Sequence, residues 1–465
     1  MVKILNQYFP GRLLVLLATE NLLILIGLWM VMAYQIRGAG FFSPISDPAF
    51  FSKAFAITLL CQLCFYYADV YDLRNLRSKV EVAVRVVQAA GAAAIILAIV
   101  YYVFPVTRLG EGVVETSLLG IIITIVGWRV LLEWLNRAYG AGERVLLVGS
   151  GFAVQELAHV ITHRKDLPIA VVGIVAEEGQ GGYHDTPEIE VVGSLPELEK
   201  TIATLKPERL IIALRERRQQ LPLDLLLHHR MRGMIIEEAS TLYQKVTGRI
   251  PVESIHPSAL IFTDGFRQSR LRRVSSRIAD FLGAIFGVIL FGPLMLLIAL
   301  AIKLNSPGPV FYRQERVGRN GQTFDVLKFR SMRTDAEKMS GPVWATEDDP
   351  RITRVGKLLR KLRLDELPQF MNVLAGNMSF VGPRPERPHF VKELKETIRF
   401  YDLRHSVRPG ITGWAQVCYS YGATVEDSKA KLEYDLFYIK NNSISFDCLI
   451  LFQTIKIMLF GKGAR

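Results

Sequence analysis

The stretch LRKLRLDELPQFMNVLAGNMSFVGPRPE, Leu359–Glu386, sets two adjacent carboxylates, Asp365 and Glu366, inside a strongly basic run. Arg360 and Arg363 precede the pair and Arg384 follows it. Two carboxylates among guanidiniums suit phosphate chemistry. One attacks phosphorus, the other holds a divalent cation, and the arginines neutralise the phosphate oxygens. The plainer reading is that the pair opens a helix, where acids are favoured and Pro368 is tolerated. The two readings are compatible, because a helix N-terminus also binds phosphate. A helix carrying Arg360 leads into the pair, and VGPRPE, Val381–Glu386, is a rigid turn that presents Arg384.

Upstream, SPGPVFYRQERVGRNGQTFDVLKFRSMR, Ser306–Arg333, contains a proline–glycine turn and the alternating strand FDVLKF. Period two places Lys328 and Arg330 on one face of that strand, where they meet a pyrophosphate or form a solvated basic edge. Downstream, VRPGITGWAQV, Val407–Val417, is a glycine-rich turn followed by Trp414 and Gln416, residue types that stack on or hydrogen-bond to a base.

Further upstream, the run Phe281–Ile302 has no charged residue. Arg270, Arg272, Arg273 and Arg277 precede it, and Lys303, Arg313, Arg316 and Arg319 follow it, so both ends favour the cytoplasmic side. Pro293 removes a helix hydrogen bond near its middle. Charge on both flanks of a centrally broken apolar helix predicts a re-entrant hairpin over about 278–304, set against the commoner kinked spanning helix. The C-terminal run Cys448–Phe460, interrupted by Lys456, reads as an interfacial helix.

Between Glu143 and Gly265 the chain alternates strand-like runs, Val145–Gly149, Ala170–Val175, Arg209–Leu214 and Met234–Glu237, with helical ones. That alternation predicts a parallel sheet of Rossmann type. In the first turn Gly149 and Gly151 fit the dinucleotide fingerprint, but Val154 stands at its third glycine, so a ligandless turn competes with a cofactor site. A Tyr-x-x-x-Lys pair of the reductase kind is missing from this region.

The first third carries four apolar runs, Leu13–Ala33, Ala54–Ala68, Val82–Phe104 and Leu118–Leu132. The first and third are long enough to span a bilayer, and the second and fourth need their flanks. The first is not read as a cleavable signal peptide, since it is long and further spans follow. Lys3 and Arg12, then Arg74, Arg77, Lys79 and Arg85, then Arg137 and Arg144 predict four spans with both ends inside. The expected plan is thus a multidomain membrane protein: a four-helix transmembrane region at 1–140, a Rossmann-like α/β domain at 141–265, and an α+β catalytic domain at 270–465 that opens with either a re-entrant membrane hairpin or a kinked crossing.

Half of the 465 residues are hydrophobic and the net charge is +12, which suits contact with anionic lipid or polyphosphorylated ligands. Nucleic acid is not expected as a partner, as no zinc spacing, homeodomain or RNA-recognition signature occurs. Four cysteines give no disulfide framework; Cys61 and Cys64 lie in an apolar run and read as lipid- or core-facing filler.

The segments PGPVFYRQERVG, LKFRSM, LDELPQFMNVL, MSFVGPRPE and VRPGITGWAQV resemble, in order, the bacterial sugar transferases, also called monotopic phosphoglycosyl transferases. The resemblance covers roughly Val274 to the C-terminus. The upstream spans and α/β domain resemble the larger members, which start exopolysaccharide or O-antigen assembly. The resemblance implies transfer of a sugar 1-phosphate from a UDP-sugar to undecaprenyl phosphate, with release of UMP, on the cytoplasmic face of the bacterial inner membrane, with Mg²⁺. It makes Asp365 the nucleophile of a covalent phosphosugar intermediate and Glu366 the metal-linked carboxylate. Arg360, Arg384 and Lys328 fall at phosphate-binding positions, and Pro293 matches the helix-breaking proline. Gln416 is assigned to the nucleotide end on its chemistry. The rivals are a membrane-bound nucleotide-sugar dehydratase or reductase and a non-enzymatic polysaccharide-assembly scaffold. The donor sugar and the ligand of the middle domain are not legible, and a homodimer is the candidate oligomer.

Overall fold

The computed structural model describes residues 2–4, 7–9, 11–35, 48–72, 79–109, 112–139, 142–149, 152–164, 167, 169–177, 189–213, 222–253, 265–266, 269–333, 351–419, 422 and 424–460. Arg74, Arg77, Gly151 and Leu214 of the sequence reading lie outside these. The chain forms two compact units, divided between Ala239 and Ser240 apart from a few N-terminal residues.

The first unit opens with helices Gly11–Gln35, Pro48–Tyr67, Lys79–Val103 and Val113–Tyr139. Each apolar run extends through its flanks, so the second and fourth also reach spanning length. Among the described residues, five helices are long and apolar enough to cross a membrane, these four and Arg270–Asn305. Ile24, Leu28, Phe50, Ala54, Phe65, Val86 and Ile125 form the inside of the four-helix region. Val15, Leu22, Met30, Phe55, Ile95 and Ile123 face outward, which in water would leave a large apolar surface. Glu20, fully buried, is paired with Arg129 at 2.6 Å and accepts from the Tyr71 hydroxyl at 2.8 Å, so this buried acid is neutralised. Cys61 and Cys64 are buried in this core as free thiols.

The α/β part is a five-stranded sheet, parallel throughout. Its spatial order is Val191–Ser194, Ile169–Ala176, Glu143–Gly149, Arg209–Ala213, Ile235–Glu238, or 3-2-1-4-5 in chain sequence, with helices Phe152–His163, Leu198–Leu205 and Leu223–Met231 in the crossovers. Doubly wound sheets take this order. Val191–Ser194 was not expected as a strand. It is a four-residue edge strand whose VVGS runs straight into the Leu195–Glu197 turn, too short to show a period of two.

The second unit begins with the helix Ala239–Thr247 from Ser240 onward: Gln244 accepts from Lys440, and the Gly248 carbonyl accepts from Trp414. Arg270–Asn305 is one long helix, capped by the Ser269 hydroxyl on the Arg272 N–H, with Pro293 inside it. An antiparallel hairpin follows, Phe311–Val317 with Thr323–Phe329. Short helices, a two-strand parallel ladder of Ser379–Val381 with Gly410–Thr412, and helices Pro388–Thr397, Val425–Asn441 and Ile444–Phe460 complete it.

Candidate active site

Thr353 caps the helix Arg354–Lys361 by accepting from Gly356 N at 2.9 Å. Gly356 is required there, because any Cβ would run into the Ser331 carbonyl. The helix stops at Leu362, and Arg363 turns the chain in the left-handed region, φ 53°. That conformation is costly for a residue with a Cβ and is held by its surroundings. The tight turn Leu364–Glu366 then carries both carboxylates, and helix Gln369–Ala375 begins three residues later. Leu364 and Leu367, on either side of the pair, pack with Phe329, Leu359, Ile298 and Ile302.

Two cations converge on one of the two acids. Lys328 Nζ and Arg384 Nη2 each donate to Glu366 Oε1 at 2.9 Å. Asp365 makes no hydrogen bond or ion pair among the described residues. Burial pushes Glu366 up, but Lys328 and Arg384 outweigh it and hold that carboxyl well below the usual range. Burial pushes Asp365 up as well. Lys328, Arg360 and Arg384 pull it back, the charge of Glu366 opposes them, and the net is a raised pKa. The neighbours therefore differ: one is a pinned permanent anion, the other an uncommitted, more basic carboxylate.

The supports of this geometry lie far away in sequence. Asn372, in the middle of a short helix, accepts from Leu327 N at 2.9 Å and donates to the Asp325 carbonyl at 2.7 Å. It thereby fastens the helix after the acidic pair to the strand that carries Lys328. Arg404, buried, donates to the Arg384 carbonyl at 3.0 Å and to the Tyr401 hydroxyl at 2.6 Å, and pairs with buried Asp435 at 2.8 Å. Burial lifts Asp435 to about 6 against the pull of Arg404. Arg316 donates to the Pro385 carbonyl at 3.0 Å and meets Glu386 at 3.3 Å. The turn that presents Arg384 is therefore held on both sides. Sequence reading missed Asn372, Arg404 and Asp435; only the placing of Asn372 inside a hydrophobic helix was a visible signal.

Other expected residues sit elsewhere. Arg330 is buried just past its strand, with Nη1 on the Pro307 carbonyl and Nη2 on the Ser306 carbonyl and hydroxyl, all within 2.9 Å. Its guanidinium fastens the end of the long helix, and the structure does not bring it to the acidic pair. The expectation that Trp414 stacks on a base is overturned. It is 6% exposed, donates to the Gly248 carbonyl at 3.0 Å, and packs against Tyr434, Phe437 and Phe446. Gln416 donates weakly to the Ile411 carbonyl at 3.3 Å, and its Oε1 is buried without a partner. Pro293 lies within the long helix, between Phe291, which packs on Phe370, and Leu294.

The donor set suits a hard divalent cation. The pair offers carboxylate oxygens of the kind such an ion takes, and among the described residues no cluster of three or more His, Cys, Asp or Glu closes a cage. Such a cation takes one or two carboxylates and completes its shell with substrate phosphates and water.

An uncommitted carboxylate beside a cation-clamped one, seated against a long apolar helix, defines an enzyme of phosphate chemistry at a bilayer. The comparisons with known proteins agree. The model for the bacterial sugar transferase family matches residues 271–461, and one described as a CoA-binding domain matches 67–226. An N-acetylgalactosaminephosphotransferase that acts from UDP-N-acetylgalactosamine on undecaprenyl phosphate, from Aeromonas hydrophila, is 47% identical over 222 residues. That match takes in 48% of this chain and 52% of the relative, so about half of the latter's length. The undecaprenyl-phosphate glucose phosphotransferase of Komagataeibacter xylinus is 32% identical over 397 residues, 78% of this chain and 72% of that protein. The UDP-glucose:undecaprenyl-phosphate glucose-1-phosphate transferase of Escherichia coli (strain K12) is 34% identical over 358 residues, 74% of each. The chain belongs to the bacterial sugar transferase family.

Proposed function

We propose that this chain transfers a sugar 1-phosphate from a UDP-sugar to undecaprenyl phosphate and releases UMP, the first membrane step of exopolysaccharide or O-antigen synthesis. Sugar-phosphate transfer to this lipid is what its relatives are named for. The observation that carries the mechanism is the asymmetry of the pair: Glu366 is clamped by Lys328 and Arg384, while Asp365 is unbound. Asp365 attacks the phosphorus on the sugar side of the pyrophosphate, forming a carboxylate–phosphorus bond and breaking the bond to UMP. A phosphate oxygen of the lipid then attacks the same phosphorus and expels Asp365. The two anionic substrates thus need not be in the site together.

Glu366 would hold Mg²⁺, which would neutralise the pyrophosphate and ease departure of UMP. Arg384, Lys328 and Arg360 offset the charge on the phosphoryl oxygens. Both halves of the helix Arg270–Asn305 are tied to one short segment. Arg277 donates to the Val373 and Leu374 carbonyls and Gly287 abuts Phe370, while Ile298 and Ile302 pack with Leu364 and Leu367. This supports a hairpin that enters and leaves by the same, cytoplasmic, face of the inner membrane and sets the carboxylates at headgroup depth.

The test is UMP release from a panel of UDP-sugars with undecaprenyl phosphate and Mg²⁺. One sugar should give lipid-dependent release, and Asp365→Asn should lower it by about 10³-fold or more. Without lipid, intact-mass spectrometry should find the wild type heavier by one phosphosugar. Substantial transfer by Asp365→Asn would sink the covalent step, and no release with any sugar would sink the activity.

A further inference from the structure

The α/β domain carries a group that sugar-phosphate transfer does not use. Glu177 directly follows the strand Ile169–Ala176 and is 7% exposed. Its Oε1 is sealed from solvent and has no hydrogen-bond partner. Burying a carboxylate oxygen without a donor is costly, and such a group marks a place where a donor is expected.

Its position in the sheet says what kind of donor. Val148 pairs with Val175 in the parallel ladder, so Glu177, two residues on, stands just beyond the carboxyl edge of the first strand, which ends at Gly149. The strand order reverses beside that strand, and open α/β sheets take their ligands outside the carboxyl ends at this reversal. Gly149 ends the strand at φ 134°, a conformation that favours glycine. The twelve-residue helix Phe152–His163 starts three residues later, with no acid in its first turn to compete for its N–H groups. An anion-accepting helix start thus follows the strand that neighbours the one leading into an acceptor of hydroxyl protons.

We propose that this domain binds a nucleotide whose ribose carries a free 2′,3′-diol, with Glu177 accepting from the two hydroxyls and the start of the Phe152–His163 helix meeting the diphosphate. An ionised carboxylate only accepts, so it favours two hydroxyls and repels a phosphate in the place of either. Coenzyme A, whose ribose bears a 3′-phosphate, is therefore disfavoured, although the matching domain model bears its name. Dephospho-coenzyme A lacks that phosphate and is accepted. The site is independent of Asp365 and Glu366.

The test is calorimetric titration of the full-length protein with the four nucleoside 5′-diphosphates, their 2′-deoxy counterparts, coenzyme A and dephospho-coenzyme A. At least one ribonucleotide should bind in a way that Glu177→Gln weakens about tenfold or more, while UMP release is unchanged. With the wild-type protein, the matching 2′-deoxynucleotide should bind about tenfold more weakly, and coenzyme A more weakly than its dephospho form. The proposal is overturned if no nucleotide binding depends on Glu177, or if coenzyme A and dephospho-coenzyme A bind alike. The wild-type ligand comparison stands even if the variant folds poorly.

Discussion

Lys328 lowers the pKa of both acids, so its removal has a definite sign. Burial raises Asp365 and is only partly offset by Lys328, Arg360 and Arg384; Glu366 owes its low value to Lys328 first and Arg384 second, against burial. The proposed attack needs Asp365 ionised, so activity should rise with pH as its proton leaves. In Lys328→Met both carboxyls move up, and the acid limb of kcat/KM against pH should shift to higher pH. The plateau should fall by about 10²-fold, the size of losing one charge-stabilising donor, and Lys328→Arg should restore part of both. A limb that stays put, or moves down, would show that Lys328 does not govern the pair. Lys328 illustrates what a contiguous motif gives away. The acids and arginines sit within one stretch of chain, so their chemistry was legible, and a strand pattern carried Lys328. The place of Arg330, two residues on, was not legible because Ser306 and Pro307, which hold its guanidinium, lie 24 and 23 residues earlier.

At the scale of elements, the long helix meets the catalytic segment through two glycines one turn apart. A Cβ at Gly283 would lie 2.9 Å from the Phe380 ring, and one at Gly287 the same distance from Phe370. Just before them, Asp280 accepts from Ser379 Oγ at 3.0 Å and Phe380 N at 3.1 Å. Such close approach needs small residues on that face and leaves the remainder, Leu282, Phe286, Ile289, Leu290 and Leu297, exposed and apolar. Gly287→Val should overpack Phe370, five residues beyond Asp365, costing about 1–3 kcal/mol. Thermal unfolding should register that loss, and UMP release should drop by about tenfold. Gly292→Ala is the control: nothing lies within 4 Å of its added methyl, so unfolding should be unchanged or later. Equal effects of the two would mean the glycines serve the helix alone. Hydropathy made this helix visible from the sequence, as it did the four upstream and the βα alternation. Its partners were not visible, because which face a helix buries depends on residues nearly a hundred positions away. Trp414 failed for the same reason: Gly248, which accepts its N–H, is 166 positions earlier.

For the whole molecule, the question is which side of the membrane each end of that helix occupies. Thirty-six residues make about 54 Å of straight helix, well beyond a hydrocarbon core of about 30 Å. A straight crossing would put Arg270, Arg272 and Arg273 opposite Lys303, Arg313 and Arg316, although basic residues favour one face. It would also have to part the two halves of a helix that share one segment of about a dozen residues, from Leu364 to Leu374. Leu271 and Leu304, near the two ends, are each 79% exposed and mark them well. In a variant without its four natural cysteines, Leu271→Cys and Leu304→Cys should both react with a membrane-impermeant maleimide in inside-out vesicles, and neither in right-side-out ones. Labelling from opposite sides would make the helix a fifth crossing and remove the argument that the carboxylates sit at headgroup depth. Pro293→Leu restores the missing hydrogen bond and favours a straight axis. With the same-side topology it should pull Ile298 and Ile302 away from Leu359 and Phe329, and lower UMP release while leaving the label at position 271 unchanged.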